Sequence, residues 1–175
     1  MTKYKNKYRT TSARLKDWDY SSAWWYYVTI NTKDHKEFFG EIVDGKMKLN
    51  SLGLICEDIW KSIPQHYKLV ELDYHVIMPN HVHGIIILNP VETGHAPSLP
   101  KSTNTLSNIV GSFKSAVTKS IRENGHKIFA WQPRFYDRII RNEKELFRIR
   151  KYIEQNPLRW GIDKEKNENI CDDLL

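Results

Sequence analysis

The chain has 175 residues, a formal net charge of +6, and 40% hydrophobic and 12% aromatic content. This composition excludes a disordered or low-complexity chain and allows one domain with its own core. Cys56 and Cys171, the only two cysteines, exclude a disulfide framework and a four-cysteine zinc site and fit a reducing cytosol.

Residues 1–16 carry Lys3, Lys5, Lys7, Arg9, Arg14 and Lys16 with no acid, and Tyr4 and Tyr8 are interleaved. They contain no apolar stretch of the kind a secretory signal needs. They read either as a frayed terminus or as an arm for a phosphate backbone. Trp24, Tyr26, Val28 and Ile30 form one apolar face of a strand over 24–31. Residues 38–48 read as a hairpin that turns at Asp44-Gly45. Leu52, Ile55, Ile59 and Ile63 have helical spacing behind Asn50 or Ser51 as a cap, and Pro64 is expected to stop that helix.

Residues 69–77 alternate, with Val70, Leu72, Tyr74 and Val76 expected on one face and Glu71, Asp73 and His75 on the other. Pro79-Asn80 marks a turn, and a strand follows from His81 to Leu88. Its Ile85–Leu88 run is the longest aliphatic stretch, far too short for a membrane span. Residues 89–104 read as a long loop. Leu106, Ile109, Val110, Phe113, Val117 and Ile121 make the stripe of a helix over 105–122. A strand is expected over 134–141. Asn142 and Glu145 form a capping box for a final helix, whose stripe is Leu146, Ile149 and Ile153 and whose end is expected at Pro157.

The order of elements predicts an α+β fold: a ferredoxin-like, split βαβ antiparallel sheet with helices on its faces and an added C-terminal helix. The expected organisation is a basic N-terminal arm over 1–22, one domain over 23–160 and a polar acidic tail over 161–175. The tail holds five acids and two bases, so residues 1–160 carry a balance of +9. A basic body of this kind suits a polyanionic partner.

His81-Val82-His83 opens the second mid-chain strand. Side chains at i and i+2 share a strand face, so both imidazoles point the same way. Such a pair reads either as a divalent-metal site or as strand-end histidines satisfied by hydrogen bonds. The next same-face position is Ile85, not a third histidine, which disfavours a histidine-triad nucleotide hydrolase. A metal needs more ligands, and Tyr152 and Asn156 are four apart on one face of the final helix. Asn offers a hard carbonyl oxygen suited to Mg²⁺ or Mn²⁺. Tyr offers a phenol able to act as a covalent nucleophile.

Met78-Pro79-Asn80-His81-Val82-His83-Gly84, followed by Ile-Ile-Ile-Leu, resembles the histidine–hydrophobic–histidine motif of the HUH superfamily. The likeness is greatest to its single-tyrosine transposases, the REP-associated and related insertion-sequence branch. Tyr27-Val28-Thr29-Ile30, Gly111-Ser112-Phe113-Lys114-Ser115, Asp137-Arg138-Ile139-Ile140-Arg141-Asn142-Glu143 and Tyr152-Ile153-Glu154-Gln155-Asn156-Pro157 resemble the same family, in its order.

The resemblance implies a metal (Mg²⁺ or Mn²⁺) on His81 and His83, with Tyr152 as nucleophile. Asn156 matches the third ligand position, with Gln155 adjacent as the alternative. It implies nicking and rejoining of single-stranded DNA beside hairpins through a 5′-phosphotyrosine, in the cytoplasm on the nucleoid. The tyrosine helix would serve its own subunit or, in a homodimer, the partner's. Tyr136 is the second candidate nucleophile. Arg9, Arg14, Lys114, Lys119, Arg134, Arg138 and Arg141 are the candidate DNA contacts, with Arg134 and Arg138 expected on one strand face with Tyr136. The alternative function is a non-catalytic hairpin-binding protein of the same fold.

Overall fold

The computed structural model describes residues 3–4, 7–8, 18–90 and 105–166, with side chains over 18–90 and 105–160. Arg9, Arg14, most of the loop expected at 89–104 and the end of the acidic tail lie outside the described residues. Two short strands, β1 (Lys3–Tyr4) and β2 (Lys7–Tyr8), pair with each other. Strand β3 (Trp25–Asn31) is followed by a hairpin of β4 (Gly40–Val43) and β5 (Lys46–Leu49). Helices α1 (Ser51–Lys61) and α2 (Ile63–His66) lead to β6 (Val70–Ile77) and β7 (His81–Leu88). Helix α3 (Leu106–Glu123), strand β8 (Tyr136–Ile139) and helix α4 (Glu143–Lys166) complete the order.

The main sheet runs β6-β7-β3-β8, and every neighbouring pair is antiparallel. β3 and β6 are thus parallel and joined across β7 through α1, as β7 and β8 are through α3. This is the expected split βαβ arrangement. The central strands β7 and β3 pair from Trp25–Ile87 to Asn31–His81. Period-2 alternation sends the two halves of β7 to two different cores. Val82, Ile86 and Leu88 join Tyr26, Val28, Ile30 and the α3 stripe in the larger one. Ile85 and Ile87 join Tyr27, Ile149, Tyr152 and Ile153 in the smaller one, under α4.

Local chemistry sets the element ends. Asn50 Oδ1 accepts from the N–H groups of Leu52 and Gly53, and Thr105 caps α3 through the Asn108 N–H. Such caps contribute about 1 kcal/mol each. Asp44 and Gly45 have φ of 50° and 70°, the two positive values that a tight type I′ hairpin turn needs. Gly84 in β7 has a packing role instead: a Cβ there would meet the Trp60 ring at 2.2 Å. The large indole of α1 lies directly on the strand that carries the two histidines.

Four expectations need correction. First, β6 does not alternate evenly, because its pairing with β7 shifts register between Leu72 and His75. Val70 and Leu72 face the α1 side, as do His75, stacked on Trp60, and Ile77, whereas Val76 faces α4. Second, Pro64 ends α1 but sits at the start of the single turn α2, where its missing N–H is tolerated.

Third, Pro157 does not end the final helix, which continues to Lys166. An interior proline removes one helical hydrogen bond and costs about 3 kcal/mol. Packing on both sides of it holds the helix together. Tyr152, Ile153 and Asn156 are buried before it. After it, Leu158 lies against Gly45 and Trp160 against His81. Fourth, β8 begins at Tyr136, so Arg134 is an exposed loop residue and shares no strand face with Tyr136 and Arg138.

Candidate active site between the sheet and the last helix

His81 and His83 lie on the α4 face of β7 and are buried, and their Nε2 atoms are 3.0 Å apart. Each ring is anchored at its other nitrogen. Asn80 Nδ2 donates to the His35 carbonyl at 3.0 Å, which turns Asn80 Oδ1 toward His81 Nδ1 at 2.7 Å. An amide oxygen only accepts, so in the neutral ring Nδ1 carries the hydrogen and Nε2 offers the lone pair. His83 Nδ1 is bracketed by the Tyr27 hydroxyl at 2.7 Å and Thr29 Oγ1 at 2.9 Å. Thr29 is the direct cross-strand partner of His83, and its hydroxyl donates to that of Tyr27.

Helix α4 brings the other groups. The Tyr152 ring meets His83 edge-on at 5.3 Å between centroids and is 5% exposed. One turn later the buried Asn156 side chain hydrogen-bonds His81, which favours the charged ring against its burial. Another turn later Trp160 lies 5.7 Å from His81, ring to ring. The three side chains occupy positions i, i+4 and i+8 of one helix face. Tyr136 packs on Tyr27 at 6.3 Å, a ring further from the histidines than Tyr152.

Burial keeps both imidazoles neutral. Desolvation, with His35 nearby, pushes His81 down to about 3 against the bond from Asn156. Desolvation, then the neighbouring His81, holds His83 well below its ordinary value. Neutral imidazoles are the ligating form. Two nitrogens bound to one ion at about 2.1 Å and at right angles sit about 3.0 Å apart, and metal-bound histidines commonly anchor their second nitrogen as both rings do here. The donor set of two imidazole nitrogens and one amide oxygen therefore suits a divalent cation. Among the described residues no group of three His, Cys, Asp or Glu could hold a metal ion, and the side chain beside the pair that could add an oxygen donor is the amide of Asn156.

Beside the histidines opens a cleft of about 280 Å³ with Tyr152 and Tyr27 in its wall. Arg138, Arg141, Lys144 and Arg148 line it against a single acid, Glu145. Glu145 Oε1 accepts from Arg138 Nε at 2.6 Å, and Oε2 accepts from the Arg141 N–H at 2.8 Å. Its own N–H donates to Asn142 Oδ1, so the expected cap forms with the glutamate reaching one residue further back.

The candidate contacts divide. Arg138 and Arg141 reach this cleft. Lys114 and Lys119 sit on α3, on the opposite face of the sheet. Lys114 is half-buried there, its ammonium donating to the carbonyls of Gln132 at 2.6 Å and Pro133 at 3.3 Å, and burial lowers its pKa. It tethers the 132–133 segment. The residues missed from sequence are Tyr27, Thr29, Asn80, Lys144, Arg148 and Trp160. Lys144, Arg148, Tyr152, Asn156 and Trp160 recur every four residues, a ladder that a search along one helix face would find.

The fold and this site define a ferredoxin-like α+β protein in which a two-histidine central strand faces a tyrosine-bearing helix. The chain belongs to the same family as an uncharacterized protein of Haemophilus influenzae. The two are 37% identical over 163 residues, 87% of this chain and 91% of that one. No family model matches the chain. Among solved structures, a REP-associated tyrosine transposase bound to a REP hairpin shares the fold, with a TM-score of 0.57 at 20% identity, over 92% of this chain and 75% of that one.

Proposed function

We propose that this protein cuts and rejoins single-stranded DNA beside hairpins, using Tyr152 as nucleophile and Mg²⁺ or Mn²⁺ held by His81, His83 and Asn156. The observation that carries this reading is the convergence of Tyr152 and Asn156, from one helix, on a histidine pair some 70 residues earlier whose Nε2 atoms face each other. A basic cleft at the same phenol supports a phosphate-bearing substrate. The shared fold with a transposase that was solved on a REP hairpin supports a hairpin as the DNA element.

The bound cation would withdraw charge from the scissile phosphate and favour the phenolate. The chain's own residues hold and aim the groups. Asn80 fixes His81, and Tyr27 with Thr29 fixes His83. Packing on Tyr27 and His83 orients the Tyr152 ring. Arg141, Lys144 and Arg148 hold the flanking phosphates in the cleft. The Tyr152 oxygen bonds to phosphorus as the bond to the 3′ oxygen breaks. The phenol loses its proton and the departing 3′ oxygen gains one. The phosphodiester is conserved as a 5′-phosphotyrosine, so rejoining to a 3′-OH needs no nucleotide cofactor.

The test is a denaturing gel of the protein with a labelled DNA hairpin bearing single-stranded flanks, taken from the DNA bordering its own gene. A covalent adduct is expected with Mn²⁺ or Mg²⁺ and not with EDTA. Tyr152→Phe should abolish it, and His81→Ala should abolish both the adduct and the thermal stabilisation by Mn²⁺. An adduct surviving Tyr152→Phe would move the nucleophile to Tyr136 or Tyr27. Hairpin binding indifferent to metal, without any adduct, would make the protein a binding module.

A further inference from the structure

A second hollow adjoins the basic cleft and differs from it in chemistry. It measures about 410 Å³ and is walled by Trp24, Trp25, Leu88, Pro90, Ile140 and Leu146. Arg141 and Asn142, at the junction of β8 and α4, line both spaces. One space is basic and contains the phenol, the other is mainly aromatic and aliphatic with Asn89 and Glu143 in its lining, and one arginine stands between them.

Trp24 is the notable wall of the second space. It is 40% exposed, while its neighbours Tyr26, Tyr27 and Val28 are buried. The exposed ring is not loose. Its indole N–H donates to the Ile140 carbonyl at 2.7 Å, and Trp18 packs edge-on against it at 5.6 Å. A ring fixed at its edge with surface open to solvent loses little entropy when something stacks on it. Trp25, beside it, is backed by the Arg150 guanidinium at 5.9 Å.

We infer that the Trp24 hollow is a stacking site for one unpaired nucleobase of a DNA strand whose phosphates lie in the neighbouring basic cleft. Arg141 serves both spaces, so a phosphate held there leaves its own base at the aromatic wall. Every base has a π-face, so the platform is tolerant of sequence. The volume lies within the usual range for small-molecule pockets, about 300–1,000 Å³, and exceeds the needs of one base. Charge complementarity favours this occupant: an apolar peptide would gain nothing from Arg141 at the shared rim or from the basic cleft beyond it, whereas a nucleotide uses both spaces and keeps its phosphate on the Arg141 side, away from Glu143.

This inference rests on the proposed function for the identity of the ligand, and the test separates the two. The Tyr152→Phe protein, which cannot form an adduct, is titrated with two labelled 12-mers by fluorescence anisotropy. One is oligothymidylate, and the other has the same phosphates but abasic sugars throughout. Trp24→Ala should weaken oligothymidylate binding about 10-fold and leave the abasic strand unchanged, and Trp24→Phe should restore most of the loss. Arg141→Gln should weaken both strands alike.

Equal weakening of both strands by Trp24→Ala, or none, would overturn the stacking site. So would failure of the unmodified ring to bind the thymidylate strand any tighter than the abasic one. If Trp24→Ala does not fold, 5-iodouracil photocrosslinking on the parent protein decides. A crosslink within residues 24–25 supports the site, and one confined to other peptides removes it. A selective Trp24 effect without any Tyr152 adduct in the parent would keep the site and discard the nuclease. An adduct without the Trp24 effect would do the reverse.

Discussion

The face of the sheet that receives α1 and α3 buries Tyr26, Val28, Ile30, Val82 and Ile86 against helix side chains. The face that receives α4 buries two imidazoles, a phenol and an amide beside a much smaller apolar cluster. The same two strands supply both faces, one residue apart. Burial on the first face is apolar transfer, at roughly 25 cal/mol per Å². Burial on the second requires each polar atom to find a partner, as the hydroxyl and amide anchors of the histidines do. One face therefore provides stability for the other, where desolvated nitrogens are held without a counter-charge.

The largest effect that would sharpen this contrast is on chemistry. Tyr152→Phe should eliminate the covalent DNA adduct while changing unfolding free energy by no more than about 1 kcal/mol, since one hydroxyl is removed. A large loss of stability would mean that the phenol belongs to the structural face after all. Conversely, Phe113→Ala on the α3 side should cost about 3–5 kcal/mol in urea unfolding. If enough protein remains folded, the metal-dependent adduct should survive.

Acid should strain the α4 face in particular. Above pH 6.5 folded and unfolded chains both hold neutral imidazoles. Below it the unfolded chain binds protons that His81 and His83 refuse, since burial lowers both and places His81 near 3. Stability of the metal-free protein should thus be full above pH 6.5 and fall as pH drops toward 3. The slope is up to about 1.4 kcal/mol per pH unit for each imidazole. His75, lowered by burial against Trp60, adds in the same direction. Urea melts in EDTA at pH 7 and pH 5 would measure the drop. His81→Leu should flatten it, and an unchanged slope would assign the effect elsewhere.

The smallest expected change concerns how α4 is fastened. Arg150 reaches Asp73 of β6 with Nε and Nη2, both at 2.8 Å, and lies over Tyr74. More than a third of its side chain is exposed, so Arg150→Met should cost about 1 kcal/mol or less. The effect should be local, with faster hydrogen exchange along α4 and unchanged protection in β3 and β7. Uniform acceleration across the sheet would show that the two faces do not open independently.

Where one physical signal dominated, the elements could be read from sequence. The α3 stripe, the Asp44-Gly45 turn, the Asn142 cap and the double-faced β7 follow from period, positive φ and capping chemistry alone. The failures have a shared cause in tertiary contact. The register shift after Leu72 depends on how β6 meets β7. Helix α4 passes Pro157 because Leu158 and Trp160 find partners beyond it. Lys114 looks like any surface lysine until the carbonyls of Gln132 and Pro133 arrive. In the site, the histidines, Tyr152 and Asn156 stood out by residue type and spacing taken together with the family resemblance of their motifs. Tyr27, Thr29 and Asn80 did not, because a hydroxyl or amide reveals an anchoring role only once its cross-strand partner is known.

Asn80 joins two requirements that would otherwise be independent. Its backbone carbonyl receives the Thr32 N–H and hydroxyl, closing the chain reversal before β7, while its side chain spans from the His35 carbonyl to the His81 ring. The shape of the 32–35 bend thereby determines which nitrogen of a distant imidazole presents its electron pair. Under the proposed function, sequence drift in that bend should be felt first as altered affinity for the proposed cation, well before any loss of folding, and compensating changes should arise at position 80 rather than at the two histidines.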